Sequence, residues 1–413
     1  MKQNIFTQLA PNNELDDVYK ALKLLISPWT WKRGNASKDL EEDFKTFIGT
    51  PHAFSFESGR GALYAILQAL GVGTGDEVLL QAYTCVAVPN PVLWVGAQPV
   101  YVDCDEESLT LAVSDCEKKI TPRTKALIIQ HTFGLPAALN ELVTFARKHN
   151  LFIIEDCAHA LGSRYDGQRV GTFGDAAFWS FGRDKCISSV SGGMVTTGNN
   201  ELAGTIARIH HGIPYPSMRW IGQQLFHLPV SFIVRKTYSL FSFGKLLMEL
   251  AKRMSLISLA VHPRERKGGK PDVILKKFPP ALAVLVRHQM KKIERFNSHR
   301  KHCASMYASA LEKTSYRLPY EVEDREQCWL RYTLRSSKRD TLLNGAKKEG
   351  IYLGDWYTES IAPSGVDYTR IGYDPSTCPS AEKCAKESFN LPTDIHVTDQ
   401  DIERIVSFLK KSQ

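Results

Sequence analysis

The chain has 413 residues, 43% of them apolar, and a formal net charge of +8. This length predicts two domains, or one large domain with an appendage, and the apolar content suffices for a core. The basic residues are spread along the sequence, which fits small anionic substrates and gives no support for nucleic-acid binding.

The cysteines and the first residues bear on the cellular location. Nine cysteines are scattered without a CxxC pair, which favours reduced thiols and argues against a disulfide framework or a zinc site. The opening stretch, MKQNIFTQLAPNNE, lacks the apolar centre of a signal peptide. The apolar runs are also too short for a membrane-spanning helix. We therefore expect a cytoplasmic protein without a metal.

The first predicted elements lead to a glycine-containing turn. Residues 40–49 form an amphipathic pattern, and the stretch SGRGAL then opens a helix that continues to about residue 70. Gly59 permits backbone to approach an anion, and a helix N-terminus offers free N–H groups and the positive end of a dipole. Arg60 offers a two-point contact to phosphate. Taken alone, the stretch is equally compatible with a plain turn.

Strand and helix patterns alternate in the next part of the chain. The predicted strands lie within 77–81, 96–105, 124–134, 151–154, 176–181 and 192–202, and helices are predicted at 86–95 and 139–149. This alternation predicts a mainly parallel mixed sheet flanked by helices and joined by right-handed crossovers. Asp103 and Asp105 follow one strand without a third ligand at metal spacing, so we favour loop and capping roles over a metal site.

Asp156 and Lys185 are the centre of the predicted site. The apolar run from Leu151 to Ile154 is followed by two carboxylates, and the second of them is Asp156. Asp156 thus lies at the carboxyl end of a strand, where open α/β sheets bind ligands. Lys185 follows the next strand after a short turn. A carboxylate keeps the pyridine nitrogen of pyridoxal phosphate (PLP) protonated, and a lysine amine binds its aldehyde. His159, three residues beyond the aspartate, is placed to lie against the ring.

Residues 203–275 differ in character from the segments before them. Apolar residues at helical spacing alternate with lysines and arginines, and the basic connector RERKGGKP follows. We expect a helical subdomain that packs over the active site or on a partner subunit. The alternative is a pair of interfacial helices within 220–262 that touches an anionic membrane at the inner face.

The C-terminal part predicts a smaller α+β domain. A long amphipathic helix at 278–311 is expected to link the domains, followed by a strand at 328–335, a helix at 339–349 and a final helix after Thr398. The predicted units are 1–205 for the large domain with an N-terminal arm, 206–275 for the basic insertion, and 276–413 for the linker helix and small domain.

Several stretches occur in an order that resembles one family. They are SGRGAL, GDEVLLQAYTC, GAQPVYVDCD, ITPRTKALIIQHTFG, IIEDCAHALGS, VGTFGDAAFWSFGRDKCISSVSGG and the closing CPSAEKCAKESFNLPTDIHVTDQDIERIV. This set resembles the DegT/StrS-type aminotransferases, which are PLP enzymes of fold type I, related in fold to aspartate aminotransferase. The resemblance covers nearly the whole chain and leaves out mainly residues 215–275.

The resemblance implies a role for each matching position. Lys185 matches the lysine that binds the cofactor, Asp156 the partner of the pyridine nitrogen, and His159 the Gln or His beside the ring. The phosphate-binding positions of the family match Ser180, Gly59 and Arg60, and many members have Thr in place of this arginine. A homodimer with shared active sites is also implied.

Two positions depart from the family's pattern. Cys85 stands where the family has an aromatic residue that stacks on the cofactor, so stacking is expected to be weaker or to come from Tyr83. The Asn-x-Arg motif that reaches a partner subunit's cofactor falls on Leu275 and Lys277, which changes that contact, although the lysine retains a positive charge.

The retained Lys185 implies transamination, because family members that dehydrate sugars have His there. The resemblance implies glutamate as donor and a keto-sugar, carried on a nucleotide, as acceptor, in cell-surface polysaccharide or secondary-metabolite biosynthesis. Substrate contacts are expected from Tyr83, His131, Trp356 and Tyr357. The alternatives are a PLP-dependent sugar dehydratase, a membrane-associated transaminase on a lipid-linked sugar, and a non-catalytic regulatory homologue.

Overall fold

The computed structural model describes residues 4–238 and 243–413. The α-helices, in chain order, are α1 Leu15–Leu25, α2 Ala36–Ile48, α3 Gly59–Ala69, α4 Pro89–Trp94, α5 Val113–Lys119, α6 Leu139–Lys148, α7 Asn200–Gly212, α8 Met218–Thr237, α9 Phe243–Arg253, α10 Pro280–Met290, α11 Ile293–Leu311, α12 Arg339–Lys348, α13 Tyr368–Ile371, α14 Pro379–Glu387 and α15 Asp399–Lys411. The strands are β1 Ile5–Phe6, β2 His52–Phe56, β3 Glu77–Gln81, β4 Thr84–Cys85, β5 Gln98–Val102, β6 Thr124–Gln130, β7 Phe152–Asp156, β8 Arg164–Tyr165, β9 Gln168–Arg169, β10 Ala176–Ser180, β11 Gly193–Thr197, β12 Arg325–Glu326, β13 Tyr332–Arg335, β14 Ile351–Tyr352, β15 Ile361–Ala362 and β16 Ser388–Leu391.

A seven-stranded sheet forms the centre of the large domain. Its strand order is β2-β11-β10-β7-β6-β3-β5. The contacts of β7 with β6 and β10, and those of β3 with β5 and β6, are parallel, whereas β11 is antiparallel to both of its neighbours. The predicted mainly parallel mixed sheet is therefore confirmed, and β7 is its middle strand.

The sheet is buried on both faces, as its continuous apolar strands require. Along β6, Leu127 and Ile129 belong to one apolar cluster, and Ala126 and Ile128 belong to the other. Because successive side chains of a strand point to opposite faces, each cluster fills the space between the sheet and one layer of helices. The two-sided burial explains why the strand signals in the sequence are apolar runs without alternation.

Two predicted features can be compared in detail. Asp103 accepts hydrogen bonds from the N–H groups of Ser380 and Ala381 at the start of α14, at 2.9 and 2.7 Å, which confirms its capping role. The helix predicted at 278–311 is wrong in its continuity, because it is divided into α10 and α11 at Lys292. At this division the Lys292 Nζ lies 2.8–3.2 Å from three carboxylates of the N-terminal arm, Glu14, Asp16 and Asp17.

The C-terminal domain is the predicted α+β unit. β13 and β16 pair antiparallel, and the apolar side chains of α11, α12 and α15 pack with them in one cluster. Thr398 caps α15 and forms a reciprocal capping box with Asp401. The last helix therefore begins at the position that the sequence predicts.

The segment between the two domains contains the helices α8 and α9, and residues 254–279 after them are mostly irregular. α8 packs on α1 and on α9, and Val230, Val234, Ala251 and Ile257 form a small apolar cluster between them. Residues 239–242 of the predicted insertion lie outside the described residues, and α7 runs through the predicted boundary at 205/206. The unit boundaries stay predictions. In the described ranges no helix is both long and apolar enough to cross a bilayer.

Gly193→Ala tests the close approach of β11 to the turn before α3. A Cβ atom at Gly193 would lie 2.4 Å from the Ser58 carbonyl oxygen and 2.6 Å from the Gly59 nitrogen. We expect the free energy of unfolding to fall by about 2–3 kcal/mol in urea titrations, since backbone atoms cannot move aside cheaply. Gly198→Ala is the matched control, because its added Cβ meets nothing within 4 Å. Equal stability of the two variants would contradict this packing.

Candidate active site

The candidate site lies at the carboxyl end of the middle strand. Asp156 is the last residue of β7, and its partners in the neighbouring strands are Gln130 and Phe178. β10 ends at Ser180, and the loop that follows carries Lys185. The lysine lowers the pKa of the aspartate, and the aspartate raises the pKa of the lysine, so the two groups are close in space. The structure thus brings together the two residues at the centre of the predicted site.

Asp156 is positioned by its own backbone turn. The side chain is only 5% exposed, and its Oδ1 accepts the N–H of Ala158 at 3.0 Å. Burial raises the pKa of this carboxyl, while the Ala158 hydrogen bond and the nearby Lys185 and His131 act in the opposite direction. A buried carboxylate in this situation is stabilised by a positively charged hydrogen-bond donor, such as a protonated ring nitrogen.

Lys185 lies in a largely buried loop. Burial lowers the pKa of its amine, and Asp156 and Cys85 are the main groups that oppose this effect. Its Nζ is 5.4 Å from the centre of the Trp356 ring, and its carbonyl oxygen accepts a hydrogen bond from the Asn12 side chain at 2.6 Å. A lowered pKa increases the neutral fraction of the amine, which is the nucleophilic form.

His159 forms a flat, neutral surface beside these two groups. Its ring is stacked with Phe133 at 5.8 Å and with Trp356 at 5.6 Å between centroids. The Nδ1 atom accepts the N–H of Phe133 at 3.3 Å, which assigns the ring proton to Nε2. Burial, together with the cations Lys185 and Arg331, holds the pKa of His159 well below its usual value. The imidazole is therefore uncharged at neutral pH.

The turn before α3, a candidate anion-binding turn, lies next to β10. Ser58 caps α3 by accepting the N–H of Gly61 at 3.1 Å, and the N–H groups of the first helical residues precede the first intrahelical bond. A Cβ atom at Gly59 would lie 3.3 Å from both the Ser180 Cβ and the Trp179 carbonyl oxygen. The absence of a side chain thus lets the helix N-terminus approach Ser180, and the pair suits a phosphate group.

These residues fit PLP in their chemistry. Asp156 supplies a buried carboxylate for the ring nitrogen, and Lys185 supplies an amine for the aldehyde. The turn at Gly59 and Ser180 offers donors for the phosphate. His159 is the planar group nearest to this pair, although its ring is stacked with Phe133 and Trp356 in this structure.

Arg60 differs from the expectation of a two-point phosphate contact. Its guanidinium is paired with Glu265, and its Nη2 donates to the Ala260 carbonyl oxygen at 3.3 Å. Glu265 is itself held by the N–H of His262 at 2.8 Å, and its carbonyl oxygen accepts from the Asn90 side chain at 2.9 Å. The segment before α10 therefore supplies a counter-ion for the arginine, and the phosphate contact of Arg60 stays a prediction.

The sequence matches the model of the DegT/DnrJ/EryC1/StrS aminotransferase family over residues 12–227 and 275–410. The chain belongs to this family. The predicted family, the fold of fold type I enzymes and the aminotransferase class are thereby confirmed, and DegT-family aminotransferases are PLP enzymes. Residues 228–274 have no counterpart in the family model, and they lie within the stretch 215–275 that the resemblance left out.

Similar proteins cover the chain along nearly its whole length. UDP-N-acetyl-3-dehydro-alpha-D-glucosamine 3-aminotransferase of Acidithiobacillus ferrooxidans is 28% identical over 400 residues, which are 96% of this chain and 94% of the relative. The pleiotropic regulatory protein of Geobacillus stearothermophilus is 28% identical over 417 residues, 98% and 96% of the two chains. The crystal structure of S. venezuelae DesV is 26% identical, with a TM-score of 0.74 and coverage of 96% and 94%.

Cys85 is the residue that the resemblance places at the ring-stacking position, and this role stays a prediction. It ends β4, which pairs with β15, and its thiol lies within electrostatic range of Lys185 and Asp156. Burial raises the pKa of this thiol, so it is present as a neutral, apolar group. Tyr83 does not replace the missing aromatic surface, because its hydroxyl accepts the N–H of Tyr357 at 3.3 Å inside the core.

The structure separates the four expected substrate contacts into two groups. His131 and Tyr83 are fully buried. The His131 Nε2 lies 3.2 Å from Glu155, and its Nδ1 accepts the N–H of Ala137 at 3.1 Å. Both ring nitrogens are thus occupied within the protein, and we remove these two residues from the proposed substrate contacts. Trp356, whose ring lies next to Lys185, stays a proposed substrate contact, and Tyr357 packs against Trp356.

Three residues of this DegT-family site are missed by the sequence patterns. Asn12 holds the loop at Lys185, and Arg300 supports it by donating to the Asn12 side chain and to the Cys186 carbonyl oxygen, both at 2.8 Å. Arg331, in the C-terminal domain, lowers the pKa of His159. These contacts join residues that are far apart in sequence, so no local pattern identifies them.

Glu57 is a further residue at the anion-binding turn. It precedes Ser58, and its Oε2 has no hydrogen-bond partner among the described residues. Burial raises the pKa of its carboxyl to about 7, although Lys276, Ser58 and Arg60 act in the opposite direction. The carboxyl therefore carries a proton mainly below about pH 7, and there its repulsion of an anion is reduced.

Glu57→Gln is expected to make stability less dependent on pH. Between about pH 4.5 and 7 the folded protein keeps a proton on Glu57 that the unfolded chain has lost, so the wild type loses stability as pH rises. We expect the variant to avoid roughly 2 kcal/mol of this loss in urea titrations from pH 5 to 8. Glu403→Gln, at an exposed position of α15, is the control. The same pH dependence in the wild type and Glu57→Gln would contradict a protonated Glu57.

Proposed function

We propose that this chain is a PLP-dependent transaminase that moves the amino group of glutamate to a keto-sugar carried on a nucleotide. The observation that carries the proposal is the pair of Lys185 and Asp156: the carboxylate ends the middle strand, and the lysine, in the loop after β10, is close enough for each group to act on the pKa of the other. The sugar is supported by the name of the Acidithiobacillus relative, which is a 3-aminotransferase of a UDP-linked keto-sugar. The net charge of +8 suits an anionic diphosphate carrier.

The site residues divide the binding of the cofactor among them. Asp156 would keep the pyridine nitrogen protonated, and His159 would lie against the ring with Cys85 nearby. Ser180 and the N–H groups at Gly59 would hold the phosphate. When bound, PLP supplies an electron-accepting ring that stabilises the negative charge formed at the α-carbon of the amino donor.

Lys185 would serve as both nucleophile and base. Its lowered pKa increases the neutral fraction of the amine, and the Nζ would remove the proton from the α-carbon of glutamate and return it on the cofactor side before the keto acid leaves. Asn12 fixes the loop that carries the lysine through its carbonyl oxygen. Glutamate would leave as 2-oxoglutarate, and the retained amino group would pass to the keto carbon of the sugar.

Two other functions remain as alternatives. A sugar dehydratase would use the same cofactor and yield no aminated product. A regulatory homologue has some support, because the Geobacillus relative is named a pleiotropic regulatory protein. Such a homologue would show no reaction with any amino donor.

Lys185→Ala is expected to abolish the reaction with glutamate. In the wild type with PLP we expect visible absorbance, and addition of glutamate should shift this band to shorter wavelength. The variant should still bind PLP but show no shift, since the nucleophile and base are removed. Lys125→Ala, an exposed lysine of β6, should behave as the wild type. A shift in Lys185→Ala would contradict the proposed role, and no shift in the wild type with any amino acid would contradict a transaminase.

We further propose that the outer face of α9 touches an anionic membrane. Apolar side chains at helical spacing face the solvent there: Phe243 is 49% exposed, Leu246 67%, Leu250 50%, and Met254, which follows the helix, 58%. The charged residues of α9 are Lys245, Glu249, Lys252 and Arg253, so the helix carries a net positive charge. An exposed apolar stripe with basic residues beside it is typical of interfacial helices.

The inner side of α9 reaches the neighbourhood of Lys185. A cavity of about 390 Å³ is lined by Met248 and Lys252 of α9 and by Arg183 and Asp184. The same helix thus borders the solvent on one side and the cavity on the other. This arrangement favours, as a second candidate, a transaminase that acts on a lipid-linked sugar at the membrane surface.

The double variant Leu246→Asp and Leu250→Asp is expected to abolish membrane binding. The wild type should sediment with vesicles of phosphatidylglycerol and phosphatidylcholine, less so at high salt, and not with phosphatidylcholine alone. Leu22→Asp is the matched control, because Leu22 of α1 is also exposed, at 44%. Absence of wild-type binding, or equal binding by the double variant, would contradict the proposal.

We propose a cytoplasmic location and a homodimer, and the two proposals have different support. All nine cysteines are free in the structure, which fits the reducing cytoplasm. The homodimer rests on the family resemblance, and light scattering of the purified protein tests it, since a single-chain mass would contradict it.

A further inference from the structure

Two buried cysteines from distant parts of the chain face each other beside Lys185. Cys186 follows the lysine in the loop after β10, and Cys328 lies before β13 in the C-terminal domain. Their sulfur atoms are 3.7 Å apart, which is direct contact, and the residues are 2% and 4% exposed. The two cysteines are 142 positions apart in sequence, so the fold brings them together without a CxxC pattern.

One backbone group holds both sulfur atoms on the same side. The His159 carbonyl oxygen accepts from Cys186 at 3.4 Å and from Cys328 at 3.2 Å. The Cys328 N–H also donates to the Ser163 hydroxyl at 3.1 Å, and an added Cβ at Gly134 would lie 2.6 Å from the Cys328 sulfur. Cys328 is therefore tightly packed, and a closer approach of the two sulfur atoms requires movement of the loop that carries Cys186.

The two thiols differ in reactivity. The hydrogen bond with Cys328 lowers the pKa of Cys186, Arg300 and Lys185 act in the same direction, and burial opposes them. The same hydrogen bond, together with burial, raises the pKa of Cys328 well above its usual value. Cys186 thus provides the thiolate that reacts with an oxidant, and Cys328 is the resolving thiol that keeps its proton until the bond forms.

The loop of Cys186 borders an open space. Asp184 and Ser188, on either side of Cys186, line the cavity of about 390 Å³ that α9 also borders. Asn12, which holds this loop through the Lys185 carbonyl oxygen, lines the same cavity. A small neutral oxidant such as hydrogen peroxide therefore has a route to the loop.

We propose that hydrogen peroxide joins Cys186 and Cys328 in a reversible disulfide that stops the reaction at Lys185. The Cys186 thiolate attacks one oxygen of the peroxide and becomes a sulfenic acid, and hydroxide leaves with the proton that Cys186 released as water. The Cys328 sulfur then attacks the sulfenic sulfur, the S–O bond breaks, and the hydroxyl group leaves with the Cys328 proton as a second water. A dithiol such as dithiothreitol reduces the disulfide and is itself oxidised.

The new bond would displace the lysine. The present separation of 3.7 Å is longer than a disulfide by roughly 1–2 Å, and the loop has to move by most of this difference because Cys328 is tightly packed. Lys185 is the neighbour of Cys186 in this loop. Displacement of a reacting group by about 1 Å lowers a rate roughly 100-fold. This effect on the rate rests on the proposed transaminase, whereas the formation of the disulfide does not.

The first test detects the disulfide without any measurement of activity. Trypsin places Cys186 in residues 186–208 and Cys328 in residues 326–331, with no other cysteine in either peptide. The purified protein with PLP is treated with hydrogen peroxide, alkylated under denaturing conditions, digested and analysed by mass spectrometry. We expect the two peptides to be linked, lighter by two hydrogen atoms than their sum, and separate again after dithiothreitol. Peptides that stay unlinked, or irreversible oxidation of Cys186 without a link, would overturn the inference.

The second test measures the rate of the absorbance change with glutamate before and after peroxide. In the wild type the rate should fall roughly 100-fold and recover with dithiothreitol. Cys328→Ser should keep its rate, because Cys328 both lowers the pKa of Cys186 and completes the bond. Cys104→Ser is the matched control: it removes one member of the other hydrogen-bonded cysteine pair, Cys104 and Cys384, and should lose its rate as the wild type does.

The outcomes separate this inference from the proposed function. An equal loss of rate in Cys328→Ser and the wild type would assign the effect to another thiol, such as the partly exposed Cys85, and overturn the inference. A linked peptide pair with an unchanged rate would overturn the proposed control of Lys185. If the untreated wild type reacts with no amino donor, the transaminase is contradicted, and the peptide analysis still decides whether the disulfide forms.

Discussion

The removal of Lys185 and Asp156 from water is the constraint on which the rest of the site depends. Burial lowers the pKa of the amine and raises that of the carboxyl, and each group limits the shift of the other. The adjacent imidazole of His159 is held neutral by its own burial and by nearby cations. Asn12 and Arg300, from outside the sheet, hold the loop that carries the lysine through its backbone carbonyl oxygens. The chemistry at Lys185 therefore depends on the packing of the N-terminal arm, which carries Asn12.

The centre of the site could be predicted because strand ends are visible in the sequence. A continuous apolar run followed by polar residues defines where a buried parallel strand stops, and Asp156 and Ser180 are such end points. Gly59 could be recognised for a similar reason, since a helix start after a strand has a local signature. Each of these positions is determined by its immediate neighbours along the chain.

The remaining site residues could not be predicted, because their roles depend on contacts between distant segments. His131 also ends a strand, yet Glu155 and the Ala137 N–H occupy its ring from inside the fold. Arg60 was expected at a phosphate, but Glu265, about two hundred residues later, pairs with it. Arg331 precedes a strand that has no unusual pattern. Polar residues at comparable positions thus acquire different roles through partners that only the folded chain brings together.

The pairing of Arg60 with Glu265 makes the insertion part of the anion-binding turn. The family model lacks residues 228–274, yet these residues supply the carboxylate that neutralises Arg60 and also Ser258, which accepts hydrogen bonds from Arg183. Excision of the segment would leave an arginine without its counter-ion at the cofactor site. A graft of the segment onto a relative with Thr in place of Arg60 would instead leave the Glu265 carboxylate without its cation. Arg60 and the insertion should therefore be transferred to a relative only together.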